Sequence, residues 1–194
     1  MDTDEFWHII ATARARATDD LPFAEALVDV LALRPAHDLL EYQARFDTAH
    51  DALYRWDVWA AACLIRGGCS DDSFLDFRAG LIAQGRTWYE RATTAPDGLA
   101  GHPEVVAAAE SSADDALFDE DVNYAAADAY ERLTGDPDAF YDAWKEFEAS
   151  RPGSPGRAGT VMGEDFDFDD AREMRRRLPR LAALFLPGRE AADM

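Results

Sequence analysis

Leu53-Tyr54-Arg55-Trp56-Asp57-Val58-Trp59-Ala60-Ala61-Ala62-Cys63-Leu64-Ile65 is apolar on nearly every side of a helix. A helix with that pattern is buried on most sides. The run is therefore read as the helix around which the rest of the chain packs. Gly67-Gly68 follows and supplies the left-handed conformation in which helices commonly end.

Working outward, the same periodicity recurs in both directions. On the N-terminal side, Asp2 or Thr3 caps a helix to Arg16 that carries Phe6, Ile9, Ile10 and Ala13 on one face. Thr18-Asp19-Asp20 reads as a second cap, with Pro22 in the first turn. An apolar stripe of Phe23, Leu27, Val30, Leu31 and Leu33 follows and is broken at Arg34-Pro35. Residues 36–66 are helical in pattern, with a bend near 48–52. On the C-terminal side Ser70 caps a helix to about Gln84, with Phe74, Phe77 and Leu81 at helical spacing. Further helices are expected over 86–95, 103–109, 118–133 and 137–149, and a last one over 169–186 that Pro179 kinks or splits.

No alternating β-branched pattern is present. The expected fold is all-α: a single globular helical domain of about seven to nine helices. Residues 1–149 form its core, 150–163 a flexible Gly/Pro loop, and 164–187 a C-terminal helix docked back on it.

Charge sets the function classes. The 194 residues carry a net charge of -20, which argues against nucleic-acid backbones and anionic lipid as partners. Residues 104–149 hold 14 acids and 2 bases. That stretch is the candidate acidic binding face, with Glu120, Asp121 and Asp128 as its test positions. A basic protein or a cationic ligand is the expected partner. The acidic start is not the pattern of an export signal, and Cys63 and Cys69 make no disulfide framework, so a reducing cytoplasm is the expected compartment. No zinc spacing and no EF-hand register occurs, so neither metal nor cofactor is expected.

The chemistry-bearing stretch is Gly68-Cys69-Ser70-Asp71-Asp72-Ser73-Phe74-Leu75-Asp76-Phe77-Arg78. Asp72 and Asp76, at i and i+4, share a helix face. Cys69 stands just before a helix N-terminus, where a thiolate is favoured. Arg55 and Asp57 lie on the apolar helix, where buried charges must pair. Cys69, Ser70, Asp71, Asp72, Asp76, Arg78, Arg55 and Asp57 thus form a candidate pocket, in which carboxylates act as base or cation ligands and Arg78 holds an anion. The plainer reading is that Ser70 and Asp71 cap a helix while Asp76, Arg78, Arg55 and Asp57 lock helices together. Trp56 and Trp59, with Tyr54, are read mainly as core packing, although an aromatic cage for a cation uses the same residues.

Phe6-Trp7-His8-Ile9-Ile10, the 53–62 run, the Gly67–Arg78 stretch, Leu81-Ile82-Ala83-Gln84-Gly85-Arg86, Pro96-Asp97-Gly98-Leu99 and the tail FDFDDAREMRRRLPRL together resemble a bacterial family catalogued as domain of unknown function 4240. The resemblance implies a single domain and points to no activity or catalytic residue. Three functions therefore stand side by side. The first is a binding or regulatory module for a basic or cationic partner. The second is a small-molecule enzyme or ligand-binding protein using the 69–78 cluster. The third is an immunity-type or nucleic-acid-mimicking inhibitor.

Overall fold

The computed structural model describes residues 1–151 and 162–186, and the fold is all-α. The helices, in chain order, begin with α1 Thr3–Arg16, α2 Phe23–Leu31, α3 Ala36–Ala52, α4 Trp56–Arg66, α5 Asp71–Ala83 and α6 Arg86–Thr94. They continue with α7 Pro103–Ser111, α8 Ala125–Thr134, α9 Ala139–Ala149, α10 Ala171–Arg177 and α11 Pro179–Phe185. Short 3₁₀ turns occupy Pro96–Gly101 and Asp121–Asn123. Among the described residues no strand forms, and no helix is long and apolar enough to cross a membrane. The segment expected to be flexible, 150–163, falls for residues 152–161 outside the described residues.

The described residues gather into two units, 1–51 with 119–151 and 52–118 with 162–186. In the first, α2 packs on α1 and α8, and α8 on α9. Asp2 starts α1 by accepting the Glu5 N–H at 2.8 Å. Phe6, Ile9, Ile10, Leu27 and Leu31 are the buried positions that periodicity had marked. Three local readings change. Thr18 and Leu21 exchange backbone hydrogen bonds at 2.9 and 3.1 Å, so Asp19 and Asp20 form the tip of a turn and α2 starts at Phe23. Leu33, expected on the α2 stripe, is 77% exposed, because the helix closes at Leu31. Similarly α8 begins at Ala125, preceded by the 3₁₀ turn, where sequence suggested a helix from Phe118.

Tyr42 on α3 sits within an aromatic row, 5.3 Å from Phe6 and 6.3 Å from Phe46 between ring centres. It is 1% exposed, and its hydroxyl has no hydrogen-bond partner among the described residues. Burial pushes this phenol well above its ordinary range. An unsatisfied buried hydroxyl costs its desolvation, while the ring alone packs as well. Tyr42→Phe should therefore stabilise the protein by about 1 kcal/mol. Urea unfolding would show this as a higher midpoint at unchanged slope. A lower midpoint means the hydroxyl is satisfied after all.

In the second unit α4 packs on α5, α7, α11 and the Pro96–Gly101 turn. Val58, Ala60, Ala61, Ala62, Leu64 and Ile65 are buried, while Trp56, Trp59 and Cys63 are half-buried on one side. Gly67 ends the helix at φ 77°, and Gly68 continues at φ 134°. Both of their N–H groups reach the Cys63 carbonyl at 2.9 Å. The chain thereby folds back on the helix it has just left. The C-terminal helix is fixed by Asp97, whose Oδ1 accepts the Arg180 and Leu181 N–H groups at 2.9 and 3.0 Å. Two long helical patterns each break in two: 36–66 at Leu53–Arg55, and 169–186 at Leu178, where Pro179 opens a new helix.

Candidate functional site

The site is a cleft of about 590 Å³ in the second unit, beside the half-buried side of α4. One wall comes from α4 and the turn after it, with Trp56, Cys63, Leu64, Gly67, Gly68 and Cys69. The other comes from the stretch leading into α10, with Phe166, Asp167, Phe168 and Asp169, and from Met174. Phe185 and Leu186 close one end.

The second wall is held by specific contacts. The Trp56 N–H donates to the Met162 carbonyl at 3.0 Å, tying the returning chain to the start of α4. Phe168 then packs edge-on against Trp56, with ring centres 5.8 Å apart, and lies 6.1 Å from Trp59. Phe166 packs edge-on against Phe168 at 5.2 Å. The face of Phe166 already carries a cation, the Arg177 guanidinium at 4.2 Å. Arg177 also pairs with Glu164 at 2.9 Å and Glu173 at 3.1 Å. The Arg176 and Arg177 guanidinium groups pull the Glu173 carboxyl down to about 2. Asp167 stiffens the wall by accepting the Asp169 N–H at 2.9 Å. Asp170 caps α10 through the Arg172 and Glu173 N–H groups. Asp167 and Asp169 are exposed and, among the described residues, carry the formal charges of the cleft-lining side chains.

The first wall is ordered from α4. Trp59 stacks on Phe74 of α5 at 4.8 Å and on Trp56 at 5.6 Å. Its indole N–H donates to the Cys69 carbonyl at 3.0 Å, pinning the glycine turn against the helix. Cys63 and Cys69 are both half-buried, free thiols facing the same cleft. The Cys63 Sγ lies 3.9 Å from the Cys69 carbonyl oxygen, and the Cys69 Sγ lies 3.6 Å from the Ser70 carbonyl oxygen. Hydrogen bonding with Cys69, first its side chain and then its backbone, favours the Cys63 anion against burial and the nearby Asp169 charge. Cys69 is pushed up, chiefly as the donor to Cys63. Of the two thiols, the local bonding favours the anion at Cys63 over Cys69, the residue that precedes the α5 cap.

The remaining residues of the sequence-derived pocket go separate ways. Ser70 caps α5, its Oγ accepting the Ser73 N–H at 3.3 Å, and Asp71 and Asp72 are exposed in the first turn. Asp76 is half-buried and close enough to Cys69 to oppose its ionisation. Arg78 is 3% exposed, its guanidinium lying over the rings of Tyr54 at 4.9 Å and Phe74 at 5.0 Å. Arg55 pairs with Asp57 and donates to the Thr93 carbonyl, joining the start of α4 to α6. Of the eight, Cys69 alone lines the cleft. On the acidic face Glu120, Asp121 and Asp128 are all exposed. The Asp128 carboxyl is pushed up, first by partial burial and also by the Asp121 charge, with Arg132 opposing. Among the described residues no group of three His, Cys, Asp or Glu side chains gathers to hold a metal ion.

Sequence reasoning missed Asp167, Asp169, Met174, Phe185 and Leu186 as cleft residues. The available signal is the Phe166-Asp167-Phe168-Asp169 alternation of aromatic and acidic residues.

Over residues 1–132 the chain matches the family described as protein of unknown function (DUF4240), and it belongs to that family. The match covers the α4 and glycine-turn wall of the cleft and ends before the wall formed by residues 162–186. No curated protein and no solved structure matches the chain.

Proposed function

We propose that the protein is a binding module for a cationic partner, and that the cleft receives an organic ammonium group carrying apolar substituents. The observation that carries this reading is the make-up of the cleft: aromatic rings with Asp167 and Asp169 as its charged members. Indole and phenyl faces attract cations electrostatically, and carboxylates at the rim supply the compensating charge. The net charge of -20 adds a field that draws cations toward the whole molecule. Trp56 and Phe168 are the rings assigned to the ligand, since Arg177 already covers Phe166. The enzymatic alternative has less support, because Ser70, Asp71, Asp72 and Arg78 are not among the lining residues. The face at Glu120, Asp121 and Asp128 is acidic, but its exposed carboxylates by themselves single out no ligand.

The test is a titration with choline and, separately, with its neutral tert-butyl isostere, followed by tryptophan fluorescence. Choline should give a saturable change, with the isostere binding about five- to thirtyfold more weakly, as a cation–π contribution of about 1–2 kcal/mol requires. Asp167→Asn with Asp169→Asn, and separately Trp56→Leu, should each weaken choline. Equal binding of the two probes, or choline binding that survives both variants, removes the proposal.

A further inference from the structure

We propose that Cys63 and Cys69 form a reversible dithiol switch on the cleft wall, oxidised by hydroperoxides to an internal disulfide. This does not depend on the ligand assigned to the cleft.

The backbone brings the two thiols together. Gly67 and Gly68 both return their N–H groups to the Cys63 carbonyl, which reverses the chain within one turn. The Trp59 indole then holds the Cys69 carbonyl at 3.0 Å against α4. The Cys63 thiol lies 3.9 Å from that same carbonyl oxygen. Both cysteines line the cleft and both are half-buried, so a small oxidant and an exchanging thiol reach them from the cleft. The turn between them holds two glycines at positive φ with open space around each, so it has room to adjust as the sulfurs close.

The bonding around the pair assigns the roles. Cys63, favoured as the anion, is the attacking sulfur, and Cys69 resolves. The Cys63 sulfur attacks the distal oxygen of the hydroperoxide. The S–O bond forms as the O–O bond breaks, and the departing oxygen takes a proton and leaves as an alcohol, or as water from hydrogen peroxide. Cys63 is then a sulfenic acid, oxidised by two electrons, and the peroxide is reduced by two. The Cys69 sulfur attacks the Cys63 sulfur next. The S–S bond forms and the S–O bond breaks, and hydroxide leaves as water with the Cys69 proton. In a reducing compartment, thiol exchange returns the pair to dithiol.

The test treats the full chain with hydrogen peroxide under native conditions and follows intact mass and thiol titre. The wild type should lose two hydrogens and both titratable thiols, and dithiothreitol should restore both. Cys69→Ser should instead accumulate a sulfenic acid at Cys63 that dimedone traps. Cys63→Ser should react at least about tenfold more slowly, because its remaining thiol lacks the anion-stabilising contact. The proposal fails if the wild type keeps both thiols under conditions that oxidise free cysteine. It fails equally if the wild type gains oxygen without forming the disulfide, or if Cys63→Ser reacts as fast as the wild type. The wild-type mass measurement decides the matter even if either variant folds poorly.

Discussion

Phe74→Ala should destabilise the protein by about 3–5 kcal/mol, the range for deleting a buried aromatic ring. Phe74 is 1% exposed. Its ring stacks on Trp59 at 4.8 Å with planes only 10° apart, and lies 6.1 Å from Tyr54. The Arg78 guanidinium lies 5.0 Å from its centre. Alanine would remove one face of three partners at once, one of them a buried cation that needs that face. The loss should appear in urea unfolding as a lower midpoint. Phe74→Leu, which keeps most of the apolar volume, should lose a smaller part. There is also a local consequence: Trp59 positions the Cys69 carbonyl, so alkylation of Cys69 should quicken in Phe74→Ala. A loss below about 1 kcal/mol would mean that this stack does not organise the α4–α5 pair.

That stack also marks where sequence reasoning succeeds and where it stops. The all-α fold is legible because helix starts and stops are local. Ser70 caps α5, and Gly67 and Gly135 end α4 and α8 in the left-handed region, as their residue types require. Which way a charged side chain turns is not local. Asp71 and Arg78 are seven apart on α5, yet one is exposed and the other is 3% exposed beneath two aromatic rings. Only the neighbours of α5 decide that, and spacing carries no record of them. The cleft is harder still, because its walls meet through Trp56 and Phe168, residues far apart in the chain. Two aromatic residues at such separation leave no periodic signature. The Gly67-Gly68 turn falls between these cases: its reversal was readable, but its effect of joining Cys63 to Cys69 needed the indole of Trp59 as well.

A matched pair of leucines measures the same limit in energy. Leu27→Ala should destabilise by about 2–5 kcal/mol, whereas Leu33→Ala should stay within about 0.5 kcal/mol of the wild type. Periodicity places both on one apolar stripe. Leu27 is fully buried in α2, which packs on α1 and α8, so truncation leaves a cavity that those helices fill only in part. Leu33 is 77% exposed, and the reason lies two residues further on. Pro35 disfavours helical backbone at Arg34, so the chain must leave the helix before it. It does so with the Ala32 N–H on the Val28 carbonyl and the Arg34 N–H on the Leu31 carbonyl. Arg34 then reaches Glu5 at 2.7 Å and Asp38 at 3.2 Å, fixing the turn with Leu33 pointing outward. Parallel urea unfolding of the two variants isolates that one proline-imposed exit. Equal losses at the two positions would require Leu33 to be covered, and would place the end of α2 at least one turn later than Leu31.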